Sequence, residues 1–347
     1  MFHLLTVKTT MRIKPITLFS LLALIATTSC HELFDLVDLH PQPPRVSEYA
    51  SGLTNPFGVE VDAQGWVWVA EGGSGNNDSR LSVVTSKGKV YPVIEGFASV
   101  IPPQEPTPVG ISHFVINGTT LWILNTVEQR LYWADLASWQ PGDAPLRASD
   151  LKSEDIGTFV RNYEFDQDTG ESNPYNLTLG PDGDLYIADA AANAIIKREA
   201  HSGALSVFAT LPSIENPAEV GPPVIDAVPT GIVWDGQQFL VSTLTGFPFP
   251  EGEALIYAID RNGQVSVDQK GFTSLVDISL SADGKPVVVQ YAGPGFAPES
   301  GRVVYTNGGQ SPVVLDKLNY PLGIARRGLK TYYVTQSASG SVQKVVF

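Results

Sequence analysis

Six polar residues recur at one place in a repeating pattern: Glu71, Asn125, Asp189, Thr243, Gln290 and Gln336. Each ends a short apolar run, as in Trp66-Val67-Trp68-Val69-Ala70-Glu71 and Leu185-Tyr186-Ile187-Ala188-Asp189. All six carry side-chain oxygen and two are acids. Carboxylate, amide and hydroxyl oxygens in a ring form the donor set that a hard cation such as Ca²⁺ prefers. The same set can orient a small polar ligand, with Asn125, Thr243, Gln290 and Gln336 facing it. A structural use stands beside both readings, because Asp after Ala often caps the next turn by accepting from backbone N–H groups.

Two long apolar loops follow the fourth and fifth of these runs. They are Gly246 to Gly252 and Tyr291-Ala292-Gly293-Pro294-Gly295-Phe296-Ala297-Pro298. Phe247, Phe249, Tyr291 and Phe296 are expected to wall a pocket beside the polar ring, since ligand sites combine apolar walls with a few polar groups. A hydrophobic lid packed on a neighbouring unit is the alternative. Signals for catalysis are sparse. The body of the chain has two histidines: His201, beside Ser202-Gly203 in an expected exposed turn, and His113, which follows an expected first strand and can face the channel, with no acid or nucleophile tied to it by spacing. No Gly-x-Ser-x-Gly elbow occurs, and one cysteine with few histidines excludes zinc or thiol chemistry in practice.

The elements that position these residues come from a repeat of the form Pro-x-Gly-apolar, turn, aromatic-rich strand. Copies begin at Pro56, Pro108, Pro174, Pro229 and Pro321, with a worn copy at Leu275-Val276-Asp277-Ile278. Gly58, Gly110, Asn176, Gly231, Asp277 and Gly323 are taken as equivalent. The period matches one four-stranded blade of a β-propeller. The expected fold is therefore all-β, a six-bladed propeller of four-stranded antiparallel blades occupying residues 45–347. The last unit runs out of chain after Val342–Phe347, while a spare strand, 45–50, precedes the first proline. Those two are expected to pair and close the ring, which leaves fewer free sheet edges. The longest interval carries an expected insertion at about 139–171, containing Asp155, Tyr163, Glu164, Asp166 and Asp168 and a short helix near 153–162.

The N-terminus reads as an address. Met11-Arg12-Ile13-Lys14 and the apolar run from Ile16 to Ala26 precede Thr27-Thr28-Ser29 and the sole cysteine, Cys30. Basic start, apolar centre and small residues mark a secretory signal over residues 1–29, with Met11 the expected start. A cysteine at that place resembles a bacterial lipoprotein signal, so Cys30 is expected to be acylated and residues 30–44 to be a tether. The expected location is the cell envelope, at the outer membrane, periplasm or cell surface of a bacterium, with membrane contact only through the lipid. A formal charge of −14 argues against nucleic acid, whose phosphates it would repel.

The chain resembles the ScyD/ScyE family of NHL-like propellers, first associated with scytonemin gene clusters. The resemblance rests on Tyr163-Glu164, Ser172-Asn173-Pro174-Tyr175, Ala188 to Ala194, Val228-Pro229-Thr230-Gly231 and Leu244 to Gly252, whose Gly-Phe-Pro-Phe-Pro stretch is the most specific. It covers nearly all of the chain after Gly52. It implies the fold and transfers no reaction. The expected function is a monomeric module that binds a small molecule or a protein on the loop-rich face, with no established cofactor and with Ca²⁺ or another divalent cation as the candidate. The alternative is a divalent-metal-dependent hydrolase similar to a lactonase or gluconolactonase, using Glu71, Asn125 and Asp189.

Overall fold

A computed structural model describes residues 43–103, 107–167, 169–307, 309 and 311–347. The signal region, Cys30, most of the tether and Asp168 lie outside the described residues. The rest is the expected all-β six-bladed propeller. Blades are numbered here by their innermost strands: Pro56–Val61, Ile111–Asn117, Pro174–Leu179, Pro229–Trp234, Leu275–Leu280 and Pro321–Arg327. Each inner strand touches those of both neighbouring blades, and blade 6 returns to blade 1, so the ring is closed.

The closure has the expected partners. Arg45–Ser51 runs antiparallel to Ser341–Val346 and completes blade 6, with Arg45 opposite Val346 and Ser51 opposite Ser341. Val342, Val345 and Phe347 are buried there, and Phe347 stacks on Tyr332 with centroids 4.7 Å apart. Burying three such side chains stabilises the ring by roughly 5 kcal/mol.

Second strands lie between neighbouring blades, so both of their faces are covered. Val67–Glu71, Leu185–Asp189, Phe239–Thr243 and Pro286–Gln290 are buried at every residue. That double burial explains why they read as continuous apolar runs rather than as alternating ones. Outer strands alternate or face water, as Val265–Phe272 does.

Two local findings differ from the repeat as read. In blade 2 the inner strand starts at Ile111, not at Pro108; Val109 instead makes an isolated bridge with Val100. The ladders fix the register, since Pro56 pairs with Glu71, Ile111 with Asn125, Pro174 with Asp189, Pro229 with Thr243, Leu275 with Gln290 and Pro321 with Gln336. The residue equivalent to Gly58 is therefore His113, not Gly110. Segment 139–171 does hold a short helix, Gly157–Arg161, and it also supplies the outer strand of blade 2, Lys152–Asp155, paired with Arg130–Asp135. Its Leu146–Arg147 runs parallel to the outer strand of blade 1 and ties the two blades together.

Candidate functional site

Each of the six predicted polar residues ends a second strand, as the sequence indicates. All six are buried, and none of them lines the cavity on the propeller axis. Their partners lie close by. Glu71 accepts from Thr54 N (2.6 Å), from Arg80 Nε and Nη2 (2.7 and 3.0 Å), and from Ser82 Oγ (2.5 Å). Asp189 accepts from Ser172 Oγ at 2.6 Å and from the N–H groups of Asn173 and Ala192. Burial pushes its carboxyl up, against the pull of those donors. Asn125 Oδ1 accepts from Val127 N and Glu128 N, Thr243 Oγ1 from Leu255 N, and Gln336 Oε1 from Asn319 N. Gln290 is buried at its strand end.

Glu71, Asn125, Asp189, Thr243 and Gln336 each accept from at least one backbone N–H beside the strand end, and Glu71 and Asp189 accept from side chains as well. The Arg80 guanidinium already stands where a cation would sit at Glu71. Among the described residues no group of three or more His, Cys, Asp or Glu is placed to hold a metal. As placed, Glu71, Asn125 and Asp189 do not fit a divalent ion.

The predicted aromatic residues do come together. Phe247 meets Phe249 at 6.3 Å between centroids, Phe249 meets Phe296 at 4.9 Å, and Phe296 meets Tyr291 at 5.9 Å. Tyr320, which the loop pattern did not flag, extends the row by lying 5.0 Å from Tyr291 and donating to the Phe296 carbonyl at 2.9 Å. The row spans blades 4, 5 and 6, and Phe247 at its end is 59% exposed. Phe249 and Phe296 have φ of 60° and 52°, a left-handed backbone that is costly for bulky residues. Tyr320 shares a positive φ with Asn55, Val228 and Ser274, all directly before an inner strand, so its conformation belongs to the repeat. Phe249 and Phe296 lie outside that series.

A third feature occupies the axis. In register, the third residue of each inner strand is Gly58, His113, Asn176, Gly231, Asp277 or Gly323. Glycine is required at three of them by the crowding of neighbouring inner strands. A Cβ on Gly323 would stand 2.6 Å from Phe57 O, and one on Gly58 2.8 Å from Ser112 O and 2.9 Å from His113 Cα. The other three carry polar side chains into the cavity, of about 270 Å³, that all six inner strands line. Asn176 Nδ2 donates across the axis to Asp277 Oδ1 at 2.9 Å, and Ile324 N donates to Asp277 Oδ2 at 2.8 Å. Two residues further along the blade 1 strand, the half-buried Glu60 joins them.

His113 is only 4% exposed. Its Nδ1 lies 2.9 Å from the Tyr175 carbonyl, which can only accept, so the proton sits on Nδ1. Nε2 then points its lone pair inward, 3.9 Å from Asp277 Oδ2, and has no hydrogen-bond partner among the described residues. Burial lowers the imidazole pKa, with Asp277 and the carbonyls of Tyr175 and Leu322 opposing it. Burial also raises Asp277, which His113 and three donors, Ile324 N, Ile278 N and Asn176 Nδ2, partly offset. Glu60 is pushed up to about 8 by burial first and by the neighbouring Asp277 second. On the side of the loops the axis is lined one residue earlier by Phe57, Tyr175, Val276 and Leu322, which belong to one hydrophobic cluster. The cavity lies toward the other end of the inner strands, away from the aromatic row.

No local spacing ties an acid to His113, because the acid comes from the opposite blade. The usable signal was the worn repeat itself: Asn176 and Asp277 stand where glycine is the rule. His201 is exposed in its turn, as expected.

No family model and no curated protein matches the sequence. Solved structures do match over most of the chain. A gluconolactonase from Xanthomonas campestris, XC5397, is 12% identical, with 89% of this chain and 91% of that one covered at a TM-score of 0.56. The PQQ-bound aldose sugar dehydrogenase of Streptomyces coelicolor is 14% identical, covering 88% and 99% at 0.55. Virginiamycin B lyase from Staphylococcus aureus is 14% identical, covering 88% and 99% at 0.51. The likeness is one of fold. Three different chemistries on one architecture carry no reaction to this chain.

Proposed function

We propose that this protein is an exported, lipid-anchored propeller of the ScyD/ScyE kind that binds a partner, small molecule or protein, on its loop-rich face. The observation that carries this reading is the aromatic row Phe247–Phe249–Phe296–Tyr291–Tyr320, contributed by three blades and open to water at Phe247. Two of its rings sit on left-handed backbone outside the repeat pattern. Strain of that kind costs on the order of 1–3 kcal/mol per residue and persists where the surroundings impose it, often at ligand sites. Rings held edge-to-face in advance lose little entropy when a partner arrives.

Binding without catalysis is favoured over the hydrolase alternative by the donor set. The oxygens of Glu71, Asn125 and Asp189 are engaged by turn N–H groups, by serines and by Arg80. The test is native mass spectrometry of protein isolated from membranes, wild type beside a Phe247→Ala/Phe249→Ala variant. A bound species retained by wild type and lost from the variant supports the reading. The same bound species on both, or on neither, overturns it. Attachment through Cys30 is tested separately by labelling with radioactive palmitate, where absence of label on wild type removes the anchor.

A further inference from the structure

We propose that the axial cavity is a binding site for a primary alkylammonium ion, held by Glu60, Asp277 and the Nε2 atom of His113. The case starts from the donor and acceptor balance. His113 spends its one ring proton on the Tyr175 carbonyl, so Nε2 presents a buried, unpartnered acceptor. Asp277 Oδ2 stands 3.9 Å away and is also an acceptor. Two acceptors at that spacing do not bond to each other, yet one nitrogen can donate to both at ordinary distances of about 2.9 Å. Glu60 adds a third acceptor on the same cavity wall. An ammonium group has three N–H donors and no acceptor, which suits three acceptors on the wall of one cavity.

Charge favours the same ligand. The charged or titratable groups lining the cavity are Glu60, Asp277, His113 and Arg326; Asn176, Thr178 and Ser279 are neutral. Arg326 lies at the strand end, where its guanidinium donates to the Gly328 carbonyl. Burial holds both carboxyls toward their protonated forms, and the neighbouring Asp277 adds to this for Glu60, a cost that a bound cation would reduce. An alkali ion would leave the imidazole nitrogen poorly used, because such ions take oxygen ligands. The remaining wall contains Val115, Val233, Ile278 and Ala325, which suits an alkyl stem. Arg326 disfavours a second positive charge on that stem, so a monoamine fits better than a diamine.

The experiment is isothermal titration calorimetry on the full-length protein with n-butylamine hydrochloride. Controls at equal ionic strength are n-butanol, which has the stem without the charge, and tetramethylammonium chloride, which has the charge without N–H donors. Expected are saturable binding of n-butylammonium and at least about tenfold weaker binding of both controls. The dissociation constant should fall about tenfold between pH 6 and 7, as one carboxyl proton is displaced, and level off above the Glu60 pKa of about 8. Glu60→Gln should weaken binding at least about tenfold and flatten the pH dependence; Asp277→Asn should weaken it as well. Equal binding of n-butanol, unchanged affinity in folded Glu60→Gln, or no heat with n-butylammonium at pH 8.5 would each overturn the proposal. Should Glu60→Gln fail to fold, the wild-type control ligands and pH profile decide alone.

Discussion

The axis and the loop face of this propeller are built by opposite means. At the axis, side chains project from the inner strands at one fixed repeat position, at a register shift common to all six ladders, and glycine is replaced only at His113, Asn176 and Asp277. On the loop face, rings are held by irregular backbone, with Phe249 and Phe296 in conformations no repeat position imposes. The axis is polar, largely buried and titratable. The face is aromatic and partly wet. Stability should thus respond sharply to changes at the axis and weakly to changes on the face, while binding at the face should show the reverse.

Five perturbations sharpen that contrast. The largest effect is expected from the frame common to both regions: deleting 342–347 removes the third strand of blade 6 and the partner of Arg45–Ser51. Loss of soluble folded protein, or a fall in Tm of more than about 10 °C, is expected from losses of roughly 5 kcal/mol; an unchanged Tm by calorimetry would remove the closure. Next comes Asp277→Ala, which strands Asn176 Nδ2 and Ile324 N in a buried setting. At about 1–3 kcal/mol for each unpaired group, it should lower Tm by several degrees. Asn176→Ala, which leaves the backbone donors on Asp277 intact, should cost less in the same scan.

A smaller effect is expected from Phe247→Ala. Its ring is mostly exposed, so urea melts should move by about 0.5 kcal/mol or less. A large loss there would mean that the aromatic row is a structural lid and not a binding surface. The smallest effect is expected from calcium. With Arg80 already paired to Glu71, millimolar CaCl₂ should leave the Tm where magnesium leaves it. A calcium-specific rise would restore the hydrolase alternative.

Much of the fold was legible because proline and glycine mark where inner strands begin, and because second strands are covered on both faces. The strand ends were legible to the residue. What misled was Pro108-Val109-Gly110, which has the repeat's composition without its structure: Val109 bridges Val100 and the strand starts later. That shift hid the axial role of His113. The aromatic row was legible in composition, except for Tyr320, which reaches it from the next blade through contacts that only ring closure creates. The pairing of His113 with Asp277 was not legible, since it joins blades 2 and 5 across the axis and no local spacing encodes it.

The claim that the repeat's exceptions build a coupled, titratable cavity is tested most directly by thermal stability against pH, wild type beside Glu60→Gln. Glu60 holds its proton more tightly folded than unfolded, with a folded pKa of about 8. Between the ordinary carboxylate range and pH 8 the native state therefore binds more protons, and stability falls as pH rises. Ionising Glu60 should cost on the order of 2 kcal/mol by pH 8.5, allowing for solvent at the cavity mouth. Wild type should lose several degrees more than Glu60→Gln from pH 5 to 8.5, with the two curves converging at the acid end once the constant offset of the substitution is subtracted. Parallel curves across that range would contradict the account.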